Sequence, residues 1–284
     1  MKKAIEHILS GREKQITKDE SVVQPLPHKD FRFANPFIVL HHMLPKYIAP
    51  GSTLRINPHP HRGFAPVTFT LQGEGYHKDN AGHDNVVKAG DVQWMFAGKG
   101  LLHSDGPTQH FLDTGGVNEF IQLWINVPKA NKWDEPSYQS STKAQLPKVM
   151  EQEGVHFRLA SGEYDGITGP IKSFTPVITM IGEIEKGKRV QFAATPGYWT
   201  LLYVVSGSIN VNMETVTEHQ LIVFEKTNDE IIVCAEAAAQ LLFLSAQPID
   251  EPVAAKDNFV MNTAEEIAQA VNDYKNGKFG TLSY

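Results

Sequence analysis

Two short strings carry the chemistry that this sequence can offer. Asn57-Pro-His-Pro-His-Arg-Gly63 sets His59 and His61 one residue apart, and Leu101-Leu-His-Ser-Asp-Gly-Pro107 sets His103 and Asp105 at the same spacing. On an extended chain residues i and i+2 face one side, so each pair can aim both side chains at a common point. Proline at 58 and 60 removes backbone donors and restricts the first string, which stiffens the presentation. Three neutral imidazoles and one carboxylate suit a borderline divalent ion, with Fe(II) the first choice and Mn, Ni, Co, Cu and Zn compatible. Around a six-coordinate ion four protein ligands leave positions open, as oxygen chemistry requires. A lone His-x-His is common in solvated or core settings; the second pair, at the end of a Gly90-Asp91…Gly98 segment, sets this case apart. His41, His42, His77, His83 and His110 are candidates for orienting ligand imidazoles, whereas His7, His28, His156 and His219 carry no local signal.

The elements that must position these residues read as β. Val67-Thr-Phe-Thr-Leu-Gln72 alternates, is rich in β-branched and aromatic residues, and runs into Gly73-Glu-Gly75. Val86-Val87, Val92-Gln-Trp-Met-Phe96 and Phe120-Ile-Gln-Leu-Trp-Ile-Asn-Val127 read as further strands, with Pro36-Phe-Ile-Val-Leu40 upstream. Short strands punctuated by turn signals indicate an antiparallel sandwich or barrel. Phe64, Phe69 and Trp94 are candidate pocket walls or ordinary core. Ile5, Ile8 and Leu9 have helical spacing in a short N-terminal segment.

Residues 128–148 are polar and marked by Pro128, Pro136 and Pro147, which suits a connection, so domains are expected at 1–135 and 136–284. Strands then resume at Val177–Ile181, Trp199–Val205, Ile209–Asn212, Leu221–Phe224, Ile231–Val233 and Leu241–Leu244. Laying Gly73 on Gly207 superposes Ala65–Gly73 on Trp199–Gly207 and puts Ala193 and Thr195 where His59 and His61 stand. The second half therefore reads as a copy with the strands and without the ligands. Near the C-terminus Thr263 and Glu266 form a capping-box signature, Ile267, Ala270, Val271 and Tyr274 follow at helical spacing, and Gly277 is a suitable stop.

Composition bounds the partners. The 284 residues carry a net charge of −6, which argues against general nucleic-acid binding. No apolar run approaches the ~18 residues of a membrane helix, and the N-terminal residues lack the sustained apolar stretch of a signal peptide. Cys234 is the single cysteine, so no internal disulfide forms and a cytoplasmic setting is expected.

The strings His59-Pro-His-Arg-Gly63, Gly90-Asp-Val-Gln-Trp-Met95, Ala97-Gly-Lys-Gly-Leu-Leu-His103, Gln122-Leu-Trp124, Phe259-Val-Met-Asn-Thr263 and Asp273-Tyr-Lys-Asn-Gly-Lys-Phe-Gly280 resemble the pirin family, a branch of the cupin superfamily. The resemblance spans roughly residues 30 to 280. It implies an all-β bicupin: two antiparallel jelly-roll barrels face to face with a C-terminal helix and metal only in the N-terminal one; a monomer is expected independently of the resemblance. Metal ligands carry over to His59, His61 and His103. The family's fourth ligand is a glutamate, and here Asp105 stands in its place with an arm one methylene shorter. Bacterial members resemble quercetin 2,3-dioxygenases, which implies a flavonol and O2 as substrates, ring opening with loss of carbon monoxide, and Asp105 as base for the flavonol 3-hydroxyl. The rival implication is a non-catalytic iron protein that binds protein partners and reports redox state. A third reading is a bicupin with a purely structural role.

Overall fold

The computed structural model describes residues 1–16, 20–54 and 56–283. Internal contacts divide the chain into two compact units, Met1–Ile38 with Ala144–Pro248, and Val39–Lys143 with Ile249–Tyr284. The units thus interleave along the chain, with one junction at 143/144, inside the connection read at 128–148. Two local causes act at the ends. The Ile5–Ser10 segment is a strand, not a turn of helix, and pairs antiparallel with Gln220–Phe224; six residues are too few to nucleate a stable helix, while a strand edge supplies partners for the backbone at once. The C-terminal helix Ala264–Lys275 buries Ile267 and Ala270 with Leu102, Phe259, Met261 and Phe279, all of the His-bearing unit.

Each unit is a pair of antiparallel sheets, a sandwich and not a closed barrel. In the His-bearing unit one sheet runs, neighbour by neighbour, Ser137–Ser141, Val92–Phe96, Phe64–Gln72, Gly116–Asn126 and Phe37–Ile48. Its second sheet runs His59–His61, Leu101–Pro107, Glu74–Asp79 and Asp84–Lys88. In the other unit the large sheet includes Gln220–Phe224, Trp199–Ser206, Ala239–Ala246 and Val177–Ile184 in that order, and the small one Arg189–Ala193, Glu230–Ala235, Ser208–Val211 and Glu214–Thr217. The two small sheets have the same order of strands along the chain, first–fourth–second–third. This agrees with the copy read from the Gly73–Gly207 register.

The connection at 128–148 holds more structure than its polarity suggested. Lys129–Asn131 forms one 3-10 turn, and Ser137–Ser141 adds an edge strand to Val92–Phe96, with Tyr138 opposite Met95. A six-residue helix, Gln109–Thr114, capped by the Thr108 hydroxyl on the Phe111 amide, also escaped the periodicity reading because it is too short to show a period. The C-terminal helix has the capping box expected at Thr263 and Glu266 and ends at Asn276, with Gly277 in the left-handed region at φ 71°. No helix among the described residues is long and apolar enough to cross a membrane.

Candidate metal centre

Antiparallel pairing brings the two strings together. Leu101 lies opposite His61, Leu102 opposite Pro60, and His103 opposite His59. The three imidazoles converge, each offering a nitrogen such that all three lie within 4.8 Å of one another. Ring centroids are 4.3 Å apart for His59–His103, 4.8 Å for His61–His103 and 5.0 Å for His59–His61.

Hydrogen bonding determines which nitrogens point to the centre. The His59 Nδ1 lies 3.0 Å from the Asn57 carbonyl and the His61 Nδ1 3.2 Å from the Asn258 carbonyl. A carbonyl only accepts, so both Nδ1 atoms carry the proton and both Nε2 atoms keep their lone pairs. The buried His61 Nε2 has no hydrogen-bond partner, and neither nitrogen of buried His103 has one. A buried polar atom without a partner costs on the order of 1–3 kcal/mol, and three such atoms in one cluster need an occupant. A divalent cation fits, because it accepts lone pairs and tolerates no protons on the donor atoms. Burial holds the His61 and His103 imidazoles well below their usual range, and the neighbouring His59 lowers both further. They are neutral at physiological pH, the form that coordinates metal.

Asp105 does not join the triad. It occupies the same strand, opposite His77, and lines a small interior cleft with Thr68, Thr70, Gln93, Asn118 and Phe120. Of the four expected ligands, His59, His61 and His103 form the group. Of the three aromatic residues considered as walls, Phe64 stands beside the site, 5.2 Å from the His61 ring. Phe69 and Trp94 alternate with Thr68 and Gln93 of the cleft, so pleating turns them to the opposite face.

Two neighbours, Trp124 and Tyr138, had no role assigned from the sequence. Trp124 packs on Phe64 at 4.4 Å and on His61 at 5.7 Å, forming an apolar wall. His77 stacks on Tyr138 at 4.4 Å and lies 5.4 Å from the His103 ring. The His77 Nε2 contacts Asp79 at 3.1 Å, and the His83 Nδ1 contacts the same carboxylate at 2.8 Å. These bonds, with the backbone amides of Ala81 and His83, outweigh desolvation and hold the Asp79 carboxyl down to about 2. His77 thus lies beside His103, and His83 reaches it through the shared Asp79 carboxylate. His42 is instead bonded to Glu119 at 3.0 Å, and His110 is exposed on the short helix. Tyr138 sends its hydroxyl to Gln93, 3.0 Å away, which links the edge strand to the cleft. A lone Tyr in a polar, proline-marked stretch gives no signal of this role.

Comparison with known proteins agrees with this geometry. The Pirin family model matches residues 15–125, and the model for the Pirin C-terminal cupin domain matches residues 180–280. Pirin-1 of Arabidopsis thaliana is 34% identical over 229 residues, covering 78% of this chain and 77% of that protein. A pirin-like protein of Solanum lycopersicum is 35% identical over 227 residues, covering 78% and 76%. The crystal structure of quercetin 2,3-dioxygenase from Acinetobacter baumannii superposes with a TM-score of 0.93 at 32% identity over 100% of both chains. With two cupin units, a histidine triad in the first and relatives of this extent, the chain belongs to the pirin family.

Proposed function

We propose that the protein is a metal-dependent dioxygenase that opens the heterocycle of a flavonol such as quercetin with O2. The observation that carries this reading is the cluster of buried imidazole nitrogens without partners at His61 and His103, beside His59. A bound divalent ion, Fe(II) in the first instance, supplies Lewis acidity and redox capacity there. His59, His61 and His103 hold it through nitrogens stripped of protons. The Phe64–Trp124 wall offers an apolar face for a flat aromatic substrate, while Thr68, Gln93 and Asn118 offer hydrogen bonds in the cleft. Asp105, outside the triad and half-buried in that cleft, takes the proton of the flavonol 3-hydroxyl onto a carboxylate oxygen. The similarity to the Acinetobacter baumannii quercetin 2,3-dioxygenase over the whole chain supports the choice of substrate class.

The test is metal-free protein reconstituted anaerobically with Fe, Mn, Ni, Co or Cu in turn, then mixed with quercetin and O2. Loss of flavonol absorbance with one of the metals is expected; no loss with any of them would end the dioxygenase reading. Metal retention without turnover would leave the redox-reporting reading, which requires partner sets that differ between Fe(II) and Fe(III) protein.

A further inference from the structure

Residues 258–280 touch both segments that carry the ligands, although 155 or more positions of sequence separate them from His59, His61 and His103. The Asn258 carbonyl accepts the His61 Nδ1–H, |i−j| = 197, and so selects the tautomer that leaves Nε2 facing inward. The next residue, Arg62, is locked from the same side. Its guanidinium donates to Asp273 at 2.8 Å in a pair whose side chains are only 5% and 7% exposed, and lies over the Phe279 ring at 4.5 Å. The Val260 amide donates to the Arg62 carbonyl at 3.1 Å. Buried Lys132 then bridges the two segments, donating to the Gly63 carbonyl at 2.7 Å and the Val260 carbonyl at 3.0 Å.

The His103 strand is held by the same segment. Leu102, between Leu101 and His103, is buried with Phe259, Met261, Ile267, Ala270 and Phe279. Asn80 accepts from the Leu102 amide at 3.0 Å and donates to the Phe279 carbonyl at 2.5 Å. The fit leaves no slack. A Cβ at Gly63 would come within 2.2 Å of the Val260 carbonyl oxygen, and one at Gly100 within 2.8 Å of the Phe279 ring.

We propose that this C-terminal strap is a working part of the metal centre: it positions His61 and His103, and metal binding and strap docking are reciprocally coupled. The inference rests on the metal-binding reading and not on the identity of the substrate. Its logic is linkage. If the docked strap presents the triad in coordinating geometry, the docked state binds metal more tightly than the undocked state, and metal must favour docking by the same factor. A strap that only covered apolar surface would stabilise the unit without responding to metal. Asp273 and Asn80 are then positioning residues, acting through Arg62 and Leu102.

The experiment uses untagged, full-length protein and nickel(II) alone as an air-stable probe. Backbone hydrogen exchange is followed across residues 258–280 with and without nickel, and nickel affinity is measured for wild type, Asp273→Asn and the exposed-face control Gln269→Ala. Nickel is expected to slow exchange at the Val260 amide and through the helix, while Asp273→Asn speeds strap exchange and weakens nickel about tenfold, in the range for residues supporting metal ligands. Gln269→Ala should match wild type. Exchange unaltered by nickel in the wild type, which needs no variant to fold, would overturn the proposal, as would wild-type affinity in an Asp273→Asn protein whose strap exchanges faster. Failure of the wild type to bind nickel at all would overturn the metal reading and this inference with it.

Discussion

The small sheets of the two units are copies with opposite contents. In one, His59–His61 pairs with Leu101–Pro107, and the interior between the sheets holds imidazoles, Thr68, Gln93 and Asp105. In the other, Arg189–Ala193 pairs with Glu230–Ala235, and the corresponding interior holds Val190, Phe192, Ile231 and Val233, each 3% exposed or less. There Phe192 stacks on Phe243 at 4.8 Å and meets Phe157 edge-on at 5.2 Å. The same architecture is filled once for stability and once for chemistry. Val190, Phe192, Ile231 and Val233 are satisfied by contact alone, whereas His61 and His103 keep buried nitrogens without hydrogen-bond partners.

The largest expected effect breaks the apolar copy. Phe192→Ala should cost about 3–5 kcal/mol in chemical denaturation by opening a cavity among stacked rings, while metal per folded molecule stays at the wild-type value. In the other copy His103→Phe should abolish metal binding at the triad, yet metal-free stability should stay within about 1.5 kcal/mol of wild type or rise. That substitution removes two buried nitrogens without partners and makes the interior resemble its copy. A large loss of metal-free stability would show that these atoms are satisfied in some other way.

A pH titration sharpens the contrast. Burial lowers the folded-state pKa of His61 and His103 well below 6.5, so beneath that value the unfolded chain binds more protons than the folded one. Stability of the metal-free His-bearing unit should therefore be complete above pH 6.5 and fall as the pH drops below it, by up to about 1.4 kcal/mol per pH unit for each histidine. The other unit's four histidines, His7, His28, His156 and His219, lie outside this cluster. Hydrogen exchange corrected for its intrinsic pH dependence reads the two units separately. The smallest effect concerns Asp105. Asp105→Asn should leave metal affinity within about threefold, since the carboxylate lies outside the triad, but lower quercetin turnover by about 10²-fold or more if it serves as base. A restored four-ligand set in Asp105→Glu would appear as tighter metal binding than wild type.

Much of this was legible because strands state their periodicity locally. Val67–Gln72 and Phe120–Asn126 alternate or run apolar over strand length, and both histidine pairs announce themselves at i, i+2. What escaped depends on partners distant in sequence. Ile5–Ser10 reads as helical until the edge at Gln220–Phe224 is present to pair with it. Ser137–Ser141 is too polar to read as a strand, and only its place on Val92–Phe96 brings Tyr138 over His77. The Asn258 carbonyl could never have been read, because every residue carries one. The arm of Asp105, one methylene shorter than the family's glutamate, was visible in the sequence, whereas the register that sets His103 against His59 was not.

The interleaving of the units constrains the order in which they can be completed during synthesis. The strand Ile5–Ser10 emerges early and waits for Gln220–Phe224, most of the chain later. His59, His61 and His103 emerge in the first half, while Asn258, Asp273 and Phe279 follow only after the whole second sandwich. A nascent chain halted between the units would display the triad with Leu102 uncovered and His61 without its hydrogen-bond acceptor. The acceptor for the His61 imidazole and the cover over Leu102 are thus among the last parts of that unit to be synthesised, long after the triad itself.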